Sequence, residues 1–246
     1  MKFHDLRILF LILMVVTVVF MGCSEDDDED GDELAGDLTS VGALGDVVVL
    51  SGKITEDTKL TANYKYLLRG GVFVELGATL DIEAGTTIYG EGASNGTLII
   101  SKGGKIEANG TASKPIIMTC DQAPGSRARG QWGGLIVNGS APINVGAEAF
   151  GEGDTGSYGG TNPADSSGTL KYVRIEFAGI EFSPDNELNG IAFQGVGSGT
   201  VVDYVQVHFN QDDGIEFFGG TVNAKHLVCS GIRDDSFDWT YGWTGK

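Results

Sequence analysis

The chain has 246 residues, a formal charge of −18 and 39 glycines. That length buries a full core, while a glycine at about every sixth position without a collagen period argues against a helical bundle, since each costs a helix about 1 kcal/mol relative to alanine. The negative charge excludes nucleic acid as a partner, because a phosphate backbone is bound through lysine and arginine.

The first 22 residues carry Lys2 and Arg7 and then an apolar run from Ile8 to Met21, broken only by Thr17. The run is shorter than the roughly 20 residues a membrane-spanning helix needs, so residues 1–22 are expected to be an export signal. Phe20-Met21-Gly22-Cys23 resembles a bacterial lipobox. The resemblance implies lipid on Cys23 and attachment to a membrane through it. Ser24-Glu25-Asp26-Asp27-Asp28 looks like the acidic tag that takes certain Gram-negative lipoproteins to the outer face of the outer membrane. Residues 23–39 are expected to be a solvated tether, since an acidic block without aromatics cannot fold alone.

Residues 40–246 are expected to form one domain. From Gly42 onward short apolar strands alternate with Gly, Asn and Asp turns, with no sustained helical stripe. The strands repeat. Val72-Phe73-Val74 matches Leu98-Ile99-Ile100 at an offset of 26 residues; Asn189-Gly190-Ile191-Ala192-Phe193 matches Asp213-Gly214-Ile215-Glu216-Phe217 at 24; that block matches Asp235-Ser236-Phe237-Asp238-Trp239 at 22. The strand from Tyr172 aligns with that from Tyr204 at 32 and the latter with that from His226 at 22. A period of this size with several strands per repeat describes one coil of a parallel β-helix; the spacing of a leucine-rich repeat is absent.

The chain thus resembles the right-handed parallel β-helix proteins, and residues 40–246 resemble a family of bacterial surface lipoproteins that carry such a domain. The blocks Gly71 to Leu80, Trp132 to Val137 and Asp212 to Gly220 carry the resemblance. It implies an all-β, single solenoid at the cell surface and does not by itself establish an activity; the function expected here is that of a binding or scaffold module toward extracellular polysaccharide or a surface partner. These are fold motifs and bring no catalytic residue with them. A purely structural spacer and a carbohydrate-active lyase or hydrolase are the alternatives. The chain ends on Trp239, Tyr241 and Trp243 without a polar cap, so the solenoid is expected to be incomplete, with the three rings on one face of an unfinished coil.

Alternation in the strand Tyr172 to Phe177 puts Val173, Ile175 and Phe177 inside and Tyr172, Arg174 and Glu176 outside. Stacking then sets Tyr172, Tyr204 and His226 in an outward aromatic ladder beside Arg174 and His208. This is either a sugar or partner strip or an ordinary side-chain ladder.

Carboxylates form the one chemistry-rich cluster. Asp212 and Asp213 are expected to stack on Asp234 and Asp235, and Glu216 on Asp238. Three readings stay open: turn caps, since Asp before Gly favours the left-handed turn; Ca²⁺ ligands, calcium being the one cofactor with a place here; and catalysis by Asp212, Asp213, Asp234 and Asp235. Gln211-Asp212-Asp213 resembles the Asp pair of polygalacturonase-type glycosidases, but their Gly-His-Gly and Arg-x-Lys motifs are absent. A lyase would need a basic residue, for which only Arg233 is adjacent. Residues 151–165 are expected to form a long loop that either contacts a partner or is disordered. Cys229 is expected on an inward position, and a disulfide to Cys120 is open.

Overall fold

A computed structural model describes residues 36–184 and 186–246; residues 1–22, expected to be an export signal, Cys23 and the acidic run to Glu33 lie outside the described residues. Apart from a strand Asp37–Val41 that runs antiparallel to Gly45–Ile54, the strands of the main sheet pair in parallel with strands one coil away. The first of these takes in Asp37 to Thr39, which the sequence reading left in the tether.

Each coil lays down three strands, giving three parallel faces. The front face stacks the ends of Gly45–Ile54 and Lys65–Val74, then Thr97–Ile100, Gly134–Asn138, Ile191–Gln194, Ile215–Phe218 and Phe237–Thr240. The second stacks Thr58–Leu60, Thr79–Ile82, Lys105–Asn109 and the first halves of Gly168–Glu176, Val201–His208 and Asn223–Ser230. The second halves of those three long strands continue the third face, with Thr87–Gly90 and Ile116–Cys120. Pairings such as Val72 with Leu98, Ile191 with Ile215 and Val205 with Leu227 follow the repeat offsets read from the sequence.

Inward residues of all three faces meet in one core, which includes Val72, Leu98, Leu135, Ile191 and Val207. The front face is buried on its outer side too. There Ile99, Ile136, Ala192 and Phe218 pack against Tyr158 and Leu188, which arrive on the segments inserted after residues 138 and 176. Burial on both sides explains why these strands read as unbroken apolar runs rather than alternating ones. The inserted segment also runs along the solenoid: Ala141 N–H donates to the Gly195 carbonyl at 2.8 Å, Pro142 accepts from Gly220 N–H at 2.9 Å, and Asn144 N–H reaches the Tyr241 carbonyl at 3.0 Å.

The corner between second and third faces is cut by Tyr172, Tyr204 and His226, all left-handed with φ of 49°, 54° and 52°. Their rings stack at 4.5 and 4.3 Å. Left-handed backbone costs a side-chain-bearing residue about 1–2 kcal/mol, and aromatic pairing returns about 0.5–1.5 kcal/mol per pair. Phe177, expected inside, is partly buried against the main core from a left-handed corner at φ 61°, where it also tilts against Phe209 at 6.0 Å. Glu176 does point outward, yet it is buried, because the strap 121–133 closes over it with Arg127 and Arg174 also pairs with it.

The last coil departs from expectation as well. Left-handed Tyr241 and Gly242 break the alternation, so Trp239, Tyr241 and Trp243 do not share a face. Trp243 turns back onto Phe217 at 4.4 Å, while Trp239 stays 62% exposed. Leu227 and Cys229, covered from one side, are half-buried, and Cys120 and Cys229 are both free.

Candidate functional site

The site grows from the turns that lead into the front face. Asn189-Gly190, Asp213-Gly214 and Asp235-Ser236 occupy the same place in successive coils. A side chain at Gly190 would stand 2.6 Å from the Gly214 carbonyl, and one at Gly214 2.7 Å from that of Ser236. Only glycine lets the turns stack so closely, and the stacking sets Asn189, Asp213 and Asp235 in line. One step along the strands, the outward position is Ala192, then Glu216, then Asp238.

Turn capping is present: Asp213 Oδ1 accepts the Asp235 N–H at 2.9 Å. The remaining oxygens gather in two groups that share Asp213. Asp212, Asp213 and Asp234 each offer an oxygen within 4.8 Å of the others, and so do Asp213, Glu216 and Asp238. Asp235 stands in neither, and its side chain faces solvent. The Asn189 carboxamide, 1% exposed, donates Nδ2 to Glu216 Oε2 at 2.7 Å and leaves Oδ1 buried without a partner.

Burial dominates the electrostatics. It pushes Glu216 up to about 8, with Asp213, Asp238 and Glu152 adding to the rise and the Asn189 bond opposing it. Asp212 is pushed up to about 7 by burial and then by Asp213, Glu187, Glu152 and Asp234. Asp213 reaches about 6, burial again first, held back by the Asp235 N–H. Glu152 is itself raised by burial, Glu187 and Asp213. Glu152 and Glu187 were not foreseen as part of this cluster. They come from the two inserted segments, outside the repeat, where the long loop was the sole signal.

A carboxyl with a raised folded-state pKa keeps its proton longer in the native than in the unfolded state, so rising pH removes stability. In chelator-treated buffer the melting temperature is therefore expected to fall as pH rises from the ordinary carboxylate range to about 8, and Glu216→Gln is expected to flatten the fall. A melting temperature constant over that window in wild type would show that neither burial nor mutual repulsion raises these carboxyls in the folded state.

The donor set suits a hard cation. Calcium takes oxygen ligands at about 2.3–2.6 Å, which puts two ligands of one ion within about 5 Å of each other. Both groups meet that spacing, and the unpaired Asn189 oxygen adds a neutral acceptor of the right kind. An inverting glycosidase instead separates its two carboxyls by about 6.5–9.5 Å to admit a water.

The aromatic ladder forms a separate feature. Tyr172, Tyr204 and His226 line a groove of about 340 Å³ with Arg174 and Gln206. Tyr204 spends both ring faces on its neighbours, and Tyr172 and His226 spend one each. His226 Nδ1 is held by Asp203 Oδ1 at 2.7 Å, while His208 lies on the next ladder, paired with Ser230 Oγ at 2.8 Å. The two features are not brought together into one constellation.

No curated protein and no solved structure matches the chain. The family model described as a pectate-lyase like beta helix domain matches residues 52–246, the span that builds the three faces and holds the carboxylates. The chain belongs to the pectate-lyase-like β-helix domain family.

Proposed function

We propose that this is an exported surface module, lipid-anchored through Cys23 to the outer membrane, that binds acidic extracellular polysaccharide through a divalent cation held around Asp213. One observation carries the reading: two carboxylate groups sharing Asp213, beside a buried carboxamide oxygen with no partner. Asp212, Asp213, Asp234, Glu216 and Asp238 would hold the ion, Ca²⁺ by choice, because Mg²⁺ demands a more regular octahedron. A bound cation also answers the charge problem. A domain this acidic repels an anionic polymer unless a cation offsets its carboxylates and leaves positions for the polymer's own.

Titration of chelator-treated protein with CaCl₂, followed by calorimetry and thermal melting, tests the reading. Saturation at 100 times the dissociation constant is expected to add about 2.7 kcal/mol of stability, and Asp213→Asn combined with Glu216→Gln to abolish it. A melting curve indifferent to both Ca²⁺ and EDTA would reject the cation and leave the aspartates as turn caps.

The same carboxyls favour one second reading. Groups raised to about 7 and 8 keep a proton near neutrality, the state in which the acid of a glycoside hydrolase gives its proton to a leaving oxygen. Release of reducing ends from polysaccharide in EDTA, lost in Glu216→Gln, would favour that reading over cation-mediated capture.

A further inference from the structure

The front face also opens into a cleft around Phe73, lined by none of the five proposed cation ligands. Two cavities, of about 490 and 350 Å³, lie against this one ring and are walled by consecutive residues, Gly153 to Thr155 on one and Gly156 to Ser157 on the other. The ring lies across Gly71, where any side chain would come within 2.7 Å of it. Phe182, 41% exposed, faces the smaller cavity with Ser94, Asn95 and Thr97.

The wall is fixed before any ligand arrives. Asn138, 1% exposed, donates Nδ2 to the Thr155 carbonyl at 2.7 Å, and the Gly153 N–H is held by Asn186 Oδ1 at 2.9 Å. A cleft already formed in this way asks little ordering of the protein on binding.

The charges in the larger cavity cancel. Lys53 Nζ sits 2.8 Å from Glu75 Oε1, and Lys102 pairs with the Glu148 carboxylate and reaches the Gly159 carbonyl at 3.4 Å. No surplus cation awaits an anion there, and Asp154 stands in the wall of the smaller cavity. Each ion pair sets donors beside acceptors, with the Ser101 and Ser157 hydroxyls alongside. Residues 36–130, which supply Lys53, Phe73 and Lys102, hold nine basic and ten acidic side chains, against five and fifteen for residues 131–246, which supply the carboxylate site.

We infer that this cleft is a second binding site, for an uncharged oligosaccharide. A sugar ring has an apolar C–H face for Phe73 and Phe182 and a rim of hydroxyls that donate and accept at once. That pairing matches a half-buried ring among balanced donors and acceptors, and two cavities against one ring offer room for more than one sugar unit. The site needs no metal, and its lining shares no residue with the ligands of the cation site proposed above.

The test is calorimetric titration in EDTA with cellohexaose, xylohexaose, mannohexaose and, as the acidic probe, a galacturonate hexamer. At least one neutral hexamer is expected to bind saturably and more tightly than the acidic one. Phe73→Ala is expected to weaken that binding roughly tenfold. Phe182→Ala, at an exposed position, is expected to weaken it severalfold with the melting temperature unchanged, which guards against a fold defect in the first variant. Asp213→Asn with Glu216→Gln is expected to leave it intact while removing any Ca²⁺ response, so the two sites stand or fall separately. Binding by none of the three neutral hexamers, tighter binding of the acidic one, or full affinity in the Phe182→Ala variant would overturn the inference.

Discussion

Trp132→Ala is expected to destabilise the domain by about 3–5 kcal/mol, read as a shift in the midpoint of urea unfolding. The side chain is fully buried in the main core at the end of the strap 121–133. Its indole Nε1 donates to the Glu176 carbonyl at 2.7 Å, tying the strap to the third face. The site cannot collapse to fill the space, because the stacked strands around it are fixed by their own hydrogen-bond ladders. Gly90 shows how tightly the ring is held: a side chain there would meet it at 2.5 Å. Trp132→Phe keeps much of the ring yet leaves the Glu176 carbonyl unpaired, and is expected to cost about 1–3 kcal/mol. A loss under about 1 kcal/mol for the alanine variant would mean that the strap is not anchored through this residue.

Val207→Asp is expected to cost several kcal/mol or to prevent folding, with Gln206→Asp, one residue away, within about 0.5 kcal/mol of wild type. Val207 is fully buried between Ile175 and Cys229 on the neighbouring coils. An aspartate there would be an unpaired charge in an apolar stack, or a protonated acid still short of partners. Gln206 points outward beside Arg174 on the preceding coil. Circular dichroism melts of the two variants make the comparison, and equal losses would show the strand register to be wrong.

The register itself was legible because stacking forces it into the sequence. A residue that packs on its counterpart one coil later must resemble it, so Val72 and Leu98, or Ile215 and Phe237, show up as repeats. The aspartate turns were legible for the same reason. What arrives on insertions was not. The cover over Ile99, Ile136 and Ala192 and the approach of Glu152 and Glu187 to Asp212 depend on segments that occur once and carry no period. Strict alternation did not reveal that Phe177 is only partly buried, since a left-handed corner rotates a side chain without changing the composition around it. The cleft at Phe73 joins a repeat strand to the long loop, and only their meeting makes it visible.

The segment inserted after residue 138 alters how the solenoid can come apart. A stack of coils that touch only their neighbours behaves as a one-dimensional chain, free to fray from an end one unit at a time. Here the backbone from Ala141 to Asn144 is bonded to Gly195, Gly220 and Tyr241, on three later coils. To peel away, the coil bearing Phe237–Thr240 must first release a bond to a segment that belongs to the coil of Gly134–Asn138. The segment acts as a splint laid across several joints. It turns sequential fraying into a shared, steeper transition and keeps the front face, with both its sites, intact until the block gives way together.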